Sequence, residues 1–136
     1  MAAIRATYLG DLKVECEHVD SGAKIITDAP KDNNGGGTLF SPTDLCAASL
    51  GACAMTIMGL IANRHNFDVT GTTLEIEKEM SADPRRIGKI KITFHMPDRD
   101  YSEKEKAMIE RAANSCPVHK SFAPEVEQVF DFRWAR

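Results

Sequence analysis

The sequence has no excess of charge of either sign. Its 17 lysines and arginines stand against 20 acidic residues, a net charge of −3 over 136 residues. That excludes the basic balance of a nucleic-acid-binding domain and the like-charge block of a polyanionic tail. Internal repeats, linker-like stretches and low-complexity tracts are also missing, so one domain over residues 1–136 is expected. No basic segment with a short apolar run opens the chain, so no secretory signal is read and the cytosol is the expected compartment. Structural disulfides are rare there. Cys16, Cys46, Cys53 and Cys116 are therefore read as buried thiols, metal ligands or reactive groups. The glycines of segment 31–38 (KDNNGGGT) lack the Lys-Ser/Thr pair of a phosphate cradle. No nucleophile-elbow motif supports Ser-His-Asp chemistry.

The most informative absence is local. Segment 45–62, LCAASLGACAMTIMGLIA, holds 18 residues without a charge. Length alone would admit a membrane span. Only Leu45, Leu50, Met55, Ile57, Met58, Leu60 and Ile61 are large and apolar, however, and no Trp or Tyr flanks the run. The mean hydropathy of the whole chain is −0.29. The segment is read as a buried core helix, with no membrane partner. A helix apolar on every side must be covered on every side. A chain of this size has little material for that, so a second subunit is expected.

Local signals place the other elements. Segments 3–8, 12–19 and 23–27 carry β-formers with alternation and are separated by Gly10-Asp11 and Asp20-Ser21-Gly22 turns. Ser41, Pro42 and Asp44 suit an N-cap, a first helical residue and a capping carboxylate, opening a helix that runs to about 63–66. Segments 72–80 and 87–96 read as a hairpin around SADPRR. Pairing Ile76 with Ile90 would set Glu77 against Lys89 and Glu75 against Lys91, opposite charges facing across the strands. Ser102 to Glu105 is a second capping box, opening a helix to about 114 with Met108, Ile109 and Ala112 as its core stripe. Cys116-Pro117 restarts a short helix. The last strand, 126–134, places Phe130, Phe132 and Trp134 on one face. The order βββ-α-ββ-αα-β is that of an α+β domain.

Two cysteines stand out. Cys53 sits mid-helix, seven residues after Cys46, and both suit a core as small hydrophobes. Cys116 is placed at an N-cap, where unpaired amides and the helix dipole would lower a thiol pKa. His119, three residues on, could share that face. Cys16-Glu17-His18 and Cys116-Pro117-Val118-His119 hold metal-ligand types, but neither spacing matches a zinc ribbon or finger. No metal and no cofactor are expected.

The run SPTDLCAASLGACAMT (41–56) resembles the cysteine helix of the OsmC/Ohr family, and AANSCPVHKS (112–121) resembles its second cysteine motif. The order of elements matches along nearly the whole chain. The resemblance implies an intertwined homodimer. Two six-stranded antiparallel sheets would wrap the long central helices, with two active sites at the subunit interface. It also implies a peroxidase of oxidative-stress defence that reduces organic hydroperoxides. Cys53 would be the peroxidatic cysteine, Cys116 the resolving one, and a lipoyl-type dithiol the reductant. The sequence departs from the dedicated hydroperoxide reductases at two places. Thr43, followed by Asp44, stands where those enzymes carry a Glu, and Gly10 stands where they carry an Arg. It thus resembles the divergent OsmC-like branch. Two further readings keep the same scaffold: binding of a small apolar molecule without turnover, and thiol redox sensing.

Overall fold

The computed structural model describes residues 1–136. The elements follow the expected order. They are β1 (Ile4–Gly10), β2 (Lys13–His18), β3 (Lys24–Asp28), α1 (Pro42–Arg64), β4 (Thr73–Ser81), β5 (Arg86–His95), α2 (Glu103–Ala113), α3 (Pro117–Ser121) and β6 (Glu127–Arg133). The chain divides into two compact units, Met1–Cys46 and Ala47–Arg136.

In the first unit β1, β2 and β3 form an antiparallel meander, with Cys16 of β2 set between Ala6 and Ile25. Gly10, Asp11 and Leu12 turn the first hairpin with φ of 86°, 53° and 61°. The glycine-rich segment after β3 folds around the buried Asp28. Its Oδ2 accepts the Thr38 hydroxyl at 2.7 Å and the Thr38 N–H at 3.1 Å, with Lys13 Nζ 3.7 Å from Oδ1. These Thr38 hydrogen bonds, ahead of the lysine charge, hold the Asp28 carboxyl below its usual range. The segment therefore organises a carboxylate of its own chain. At the end of this unit Ser41 and Asp44 cap α1 reciprocally. The Asp44 N–H donates to Ser41 Oγ and the Ser41 N–H to Asp44 Oδ2, each at 3.0 Å. Aspartate thus completes a capping box in place of the usual glutamate.

The second unit contains the main core. Ile90, Ile92 and Phe94 of β5 are fully buried with Leu50, Ala54 and Met58 of α1 and Ile109 of α2. The sheet order is β4-β5-β6. β4 and β5 are antiparallel, whereas β6 runs parallel to β5, with α2 and α3 in the crossover. Parallel neighbours need such a helical connection. The expected antiparallel pairing thus holds at every strand contact except β5–β6.

The hairpin register differs from the expected one by two residues. Ile76 faces Ile92, Glu77 faces Lys91 and Glu79 faces Lys89. One residue of the difference arises at the turn, where Ser81 pairs with Arg86, and the other from a bulge at Gly88, the residue left unpaired where the register shifts between Glu79 and Met80. A Cβ at Gly88 would collide with the Ser81 hydroxyl, which would have to turn away. From Thr73 to Glu79 the two-residue slip keeps side chains on their expected faces, and charges still oppose, with Lys89 Nζ 3.8 Å from Glu79.

Length and composition alone would let α1 cross a membrane. Its buried residues are Ala47, Leu50, Gly51, Ala54, Met58 and Ala62, one helical face. Gly51 allows close approach to β4. A Cβ there would stand 2.7 Å from Ile76 Cδ1 and 3.2 Å from Leu74 Cδ2. Ser49, Ala52, Thr56 and Leu60 remain exposed, Leu60 at 44%. The expectation of a helix covered on all sides is thus met on one side within this chain.

Candidate functional site

Cys53 projects from the middle of α1 and is half-buried, one residue before the buried Ala54. Cys116 ends the α2–α3 connection and is fully buried. The fold makes them neighbours: the Cys53 thiol is near enough to act on the Cys116 thiol, and both are free. Disulfide closure would bring the sulfurs to about 2 Å.

Cys116 is the N-cap of α3, as its sequence position suggests. Pro117 occupies the first turn, and the His119 N–H donates to Cys116 Sγ at 3.3 Å. The expected consequence does not follow. Burial pushes the Cys116 thiol above its ordinary value of 9.0. The His119 N–H opposes that rise, the neighbouring Cys53 thiol adds to it, and the Val118 N–H opposes it more weakly. The correction has a simple cause: two amides of a five-residue helix do not offset removal of the sulfur from water. Burial thus favours the protonated form of Cys116.

His119 does not turn its ring toward Cys116. Its Nδ1 lies 2.7 Å from Gln128 Oε1, and the ring centroid is 5.4 Å from that of Phe130. Gln128 Nε2 also donates to the His119 carbonyl at 3.0 Å. Gln128 was not a candidate in the sequence. One signal marks it: alternation along β6 puts it on the face of Phe130, Phe132 and Trp134, where a polar residue needs partners.

The remaining candidates lie elsewhere. Thr43 Oγ1 is 3.2 Å from Ser41 Oγ, and Asp44 is committed to the α1 cap. Nine residues separate Asp44 from Cys53 along α1, roughly 13 Å of rise. Gly10 serves as a turn residue. Cys46 is half-buried in α1, and Cys16 is half-buried in β2. His18 Nδ1 is 2.6 Å from Ser21 Oγ. No group of three or more His, Cys, Asp or Glu side chains is assembled to hold a metal.

Comparison with known proteins places this geometry. The family model for OsmC-like protein matches residues 35–129, which include both cysteines. No protein of curated function matches significantly. Among solved structures, one from Psychrobacter arcticus 273-4 is 41% identical, with a TM-score of 0.93 over 98% of this chain and 96% of that one. It is described only provisionally, as an osmotic stress induced and detoxification response protein. An organic hydroperoxide resistance protein OsmC from Legionella pneumophila is 19% identical, with a TM-score of 0.75 over 95% and 93% of the two chains. An organic hydroperoxide resistance protein from Elizabethkingia anophelis is 18% identical, with a TM-score of 0.73 over 97% and 96%. The last two share the fold. The family model covers most of the chain and the Psychrobacter protein matches nearly all of it, so the chain belongs to the OsmC-like protein family.

Proposed function

We propose that this chain is a thiol-dependent peroxidase that reduces organic hydroperoxides in oxidative-stress defence, with Cys53 peroxidatic and Cys116 resolving. The observation that carries the reading is the pair of free, neighbouring thiols, Cys53 half-buried on α1 and Cys116 fully buried at the N-cap of α3. The Cys53 thiolate attacks the terminal peroxide oxygen. The O–O bond breaks, the alkoxide leaves and takes up a proton, and Cys53 becomes a sulfenic acid. The Cys116 sulfur then attacks the Cys53 sulfur. The Cys116 proton and the sulfenic hydroxyl leave as water, and the disulfide forms. An external dithiol, of lipoyl type in this reading, returns two electrons and two protons by thiol–disulfide exchange.

The proposal includes a cytosolic homodimer. One chain carries two three-stranded sheets, so two chains supply the strands for two six-stranded sheets. The first unit exposes Ile4, Tyr8, Leu9, Leu12, Ile25 and Ile26, and α1 exposes Leu60, apolar surface that a second copy would cover. The sensing reading draws on a different observation. Asp44 is held in the α1 cap and is not free to take the place of the family's Glu.

Steady-state consumption of cumene hydroperoxide with a lipoyl dithiol separates the two readings. The peroxidase reading expects many turnovers per chain, loss of all turnover in Cys53→Ser, and a sulfenic acid trapped by dimedone in Cys116→Ser. Oxidation that stops after one equivalent would favour the sensor. No oxidation of Cys53 at low-millimolar peroxide would sink both.

A further inference from the structure

Helix α3 has only five residues, Pro117–Ser121. So short a helix has no stability of its own, because nucleation costs more than its few bonds return. Something outside it must fix the turn that carries Cys116. Within the helix there is a single side-chain tie, Ser121 Oγ to the Pro117 carbonyl at 2.8 Å. The external tie is Gln128, one residue into β6 and held in register opposite Ile90 of the central strand.

Gln128 grips one residue at two points. Its amide nitrogen donates to the His119 carbonyl at 3.0 Å, and its amide oxygen lies 2.7 Å from His119 Nδ1. The carbonyl can only accept, so the nitrogen must face it and the oxygen must face the ring. That fixes His119 with its proton on Nδ1. The backbone N–H of this same residue donates to Cys116 Sγ. Gln128 thus sets the position of His119, and His119 brings its N–H to the sulfur. Phe130, two residues along β6, backs the imidazole and packs edge-on against the buried Phe94 at 5.7 Å.

We infer that Gln128 is a positioning residue for the resolving half of the reaction: it locks His119 so that the α3 amides stay aimed at the Cys116 sulfur as that sulfur attacks Cys53. This rests on the peroxidase reading and adds a division of labour to it. Peroxide attack at Cys53 needs none of the Gln128 contacts. Condensation needs the Cys116 sulfur to give up its proton while buried. The amide hydrogen bonds are what lowers that cost, by favouring the anionic sulfur.

The test separates the two steps in single-turnover experiments. Reduced protein is mixed with cumene hydroperoxide. Dimedone-trapped sulfenic acid and the Cys53–Cys116 disulfide are then quantified over time by mass spectrometry. Gln128→Leu should leave the rate of sulfenic acid formation unchanged and slow condensation about tenfold, the scale of one lost hydrogen bond to a developing charge. The pH midpoint of condensation should move up, while that of peroxide attack stays in place. Gln128→Glu, nearly the same shape, keeps the His119 ring bond but sets a carboxylate oxygen against the carbonyl. It should slow condensation too, and it keeps the test open should the leucine variant fold poorly. Condensation at the parent rate and pH midpoint in folded Gln128→Glu or Gln128→Leu would overturn the inference. Absence of both sulfenic acid at Cys53 and the Cys53–Cys116 disulfide in the unsubstituted protein would instead overturn the peroxidase reading itself.

Discussion

Phe94→Ala should cost about 4 kcal/mol of stability, and the structure supplies the reasons. Phe94 is fully buried on the central strand β5. Its ring stacks on Phe132 with centroids 4.7 Å apart and planes 6° from parallel, and meets Phe130 edge-on. Removing a core phenylalanine ring costs about 3–5 kcal/mol, and more when the neighbours cannot close the cavity. Here they are restrained: the β5–β6 ladder pairs Phe132 with Phe94 and Phe130 with Ile92. For 136 residues unfolding together the entropy of unfolding is about 0.29 kcal/mol/K, so the melting temperature should fall by about 14 °C. Trp134, the single tryptophan, lies 6.0 Å from Phe132 and 5.7 Å from Tyr101 and reports on this stack. Urea unfolding followed by its emission gives the free energy directly, at one fixed protein concentration because self-association shifts apparent stability. Phe94→Leu should fall between the two. A loss below about 1.5 kcal/mol in Phe94→Ala, within the range of tolerated repacking, would refute the reasoning.

Other predictions follow from single contacts. Ser41→Ala removes the Oγ that caps α1 and should cost about 1–2 kcal/mol without changing the urea dependence. A loss below about 0.5 kcal/mol, typical of an unremarkable surface site, would contradict that role. Because burial raises the Cys116 pKa, the native state binds that proton more tightly than the unfolded chain. This contribution to stability is complete below the unfolded value near 9.0 and is lost as pH rises through the higher native value. Urea unfolding under reductant should therefore weaken more steeply with alkaline pH in the parent than in Cys116→Ser; parallel curves would contradict the effect of burial. Sedimentation equilibrium should give twice the 15.0 kDa chain mass at micromolar concentration, and a single-chain mass there would contradict the homodimer.

What the sequence revealed is what local chemistry encodes. Both capping boxes, Ser41 with Asp44 and Ser102 with Glu105, are closed within four residues and form as expected. Cys116-Pro117 likewise opens α3. The hairpin register was ambiguous because Glu75, Glu77 and Glu79 can meet Lys89 and Lys91 in either of two alignments. The bulge at Gly88 belongs to the folded pair, not to either strand. The Cys116 shift runs opposite to what its N-cap position implies for a related reason. An N-cap is visible in four letters, whereas burial of the sulfur depends on the long-range core cluster to which Cys116 belongs. Gln128 acts across nine residues and a strand boundary. Only its misfit among Phe130, Phe132 and Trp134 hinted at a role. The cysteine pairing itself comes from the family resemblance, since no local signal links α1 to the α3 cap.

The most direct measurement of the central claim is intact-mass and peptide mapping of reduced protein after one equivalent of cumene hydroperoxide. The account predicts loss of two hydrogens per chain and a linkage between Cys53 and Cys116 within one chain, abolished in Cys53→Ser. Unchanged mass, or a disulfide that joins Cys46 or Cys16 instead, would contradict it.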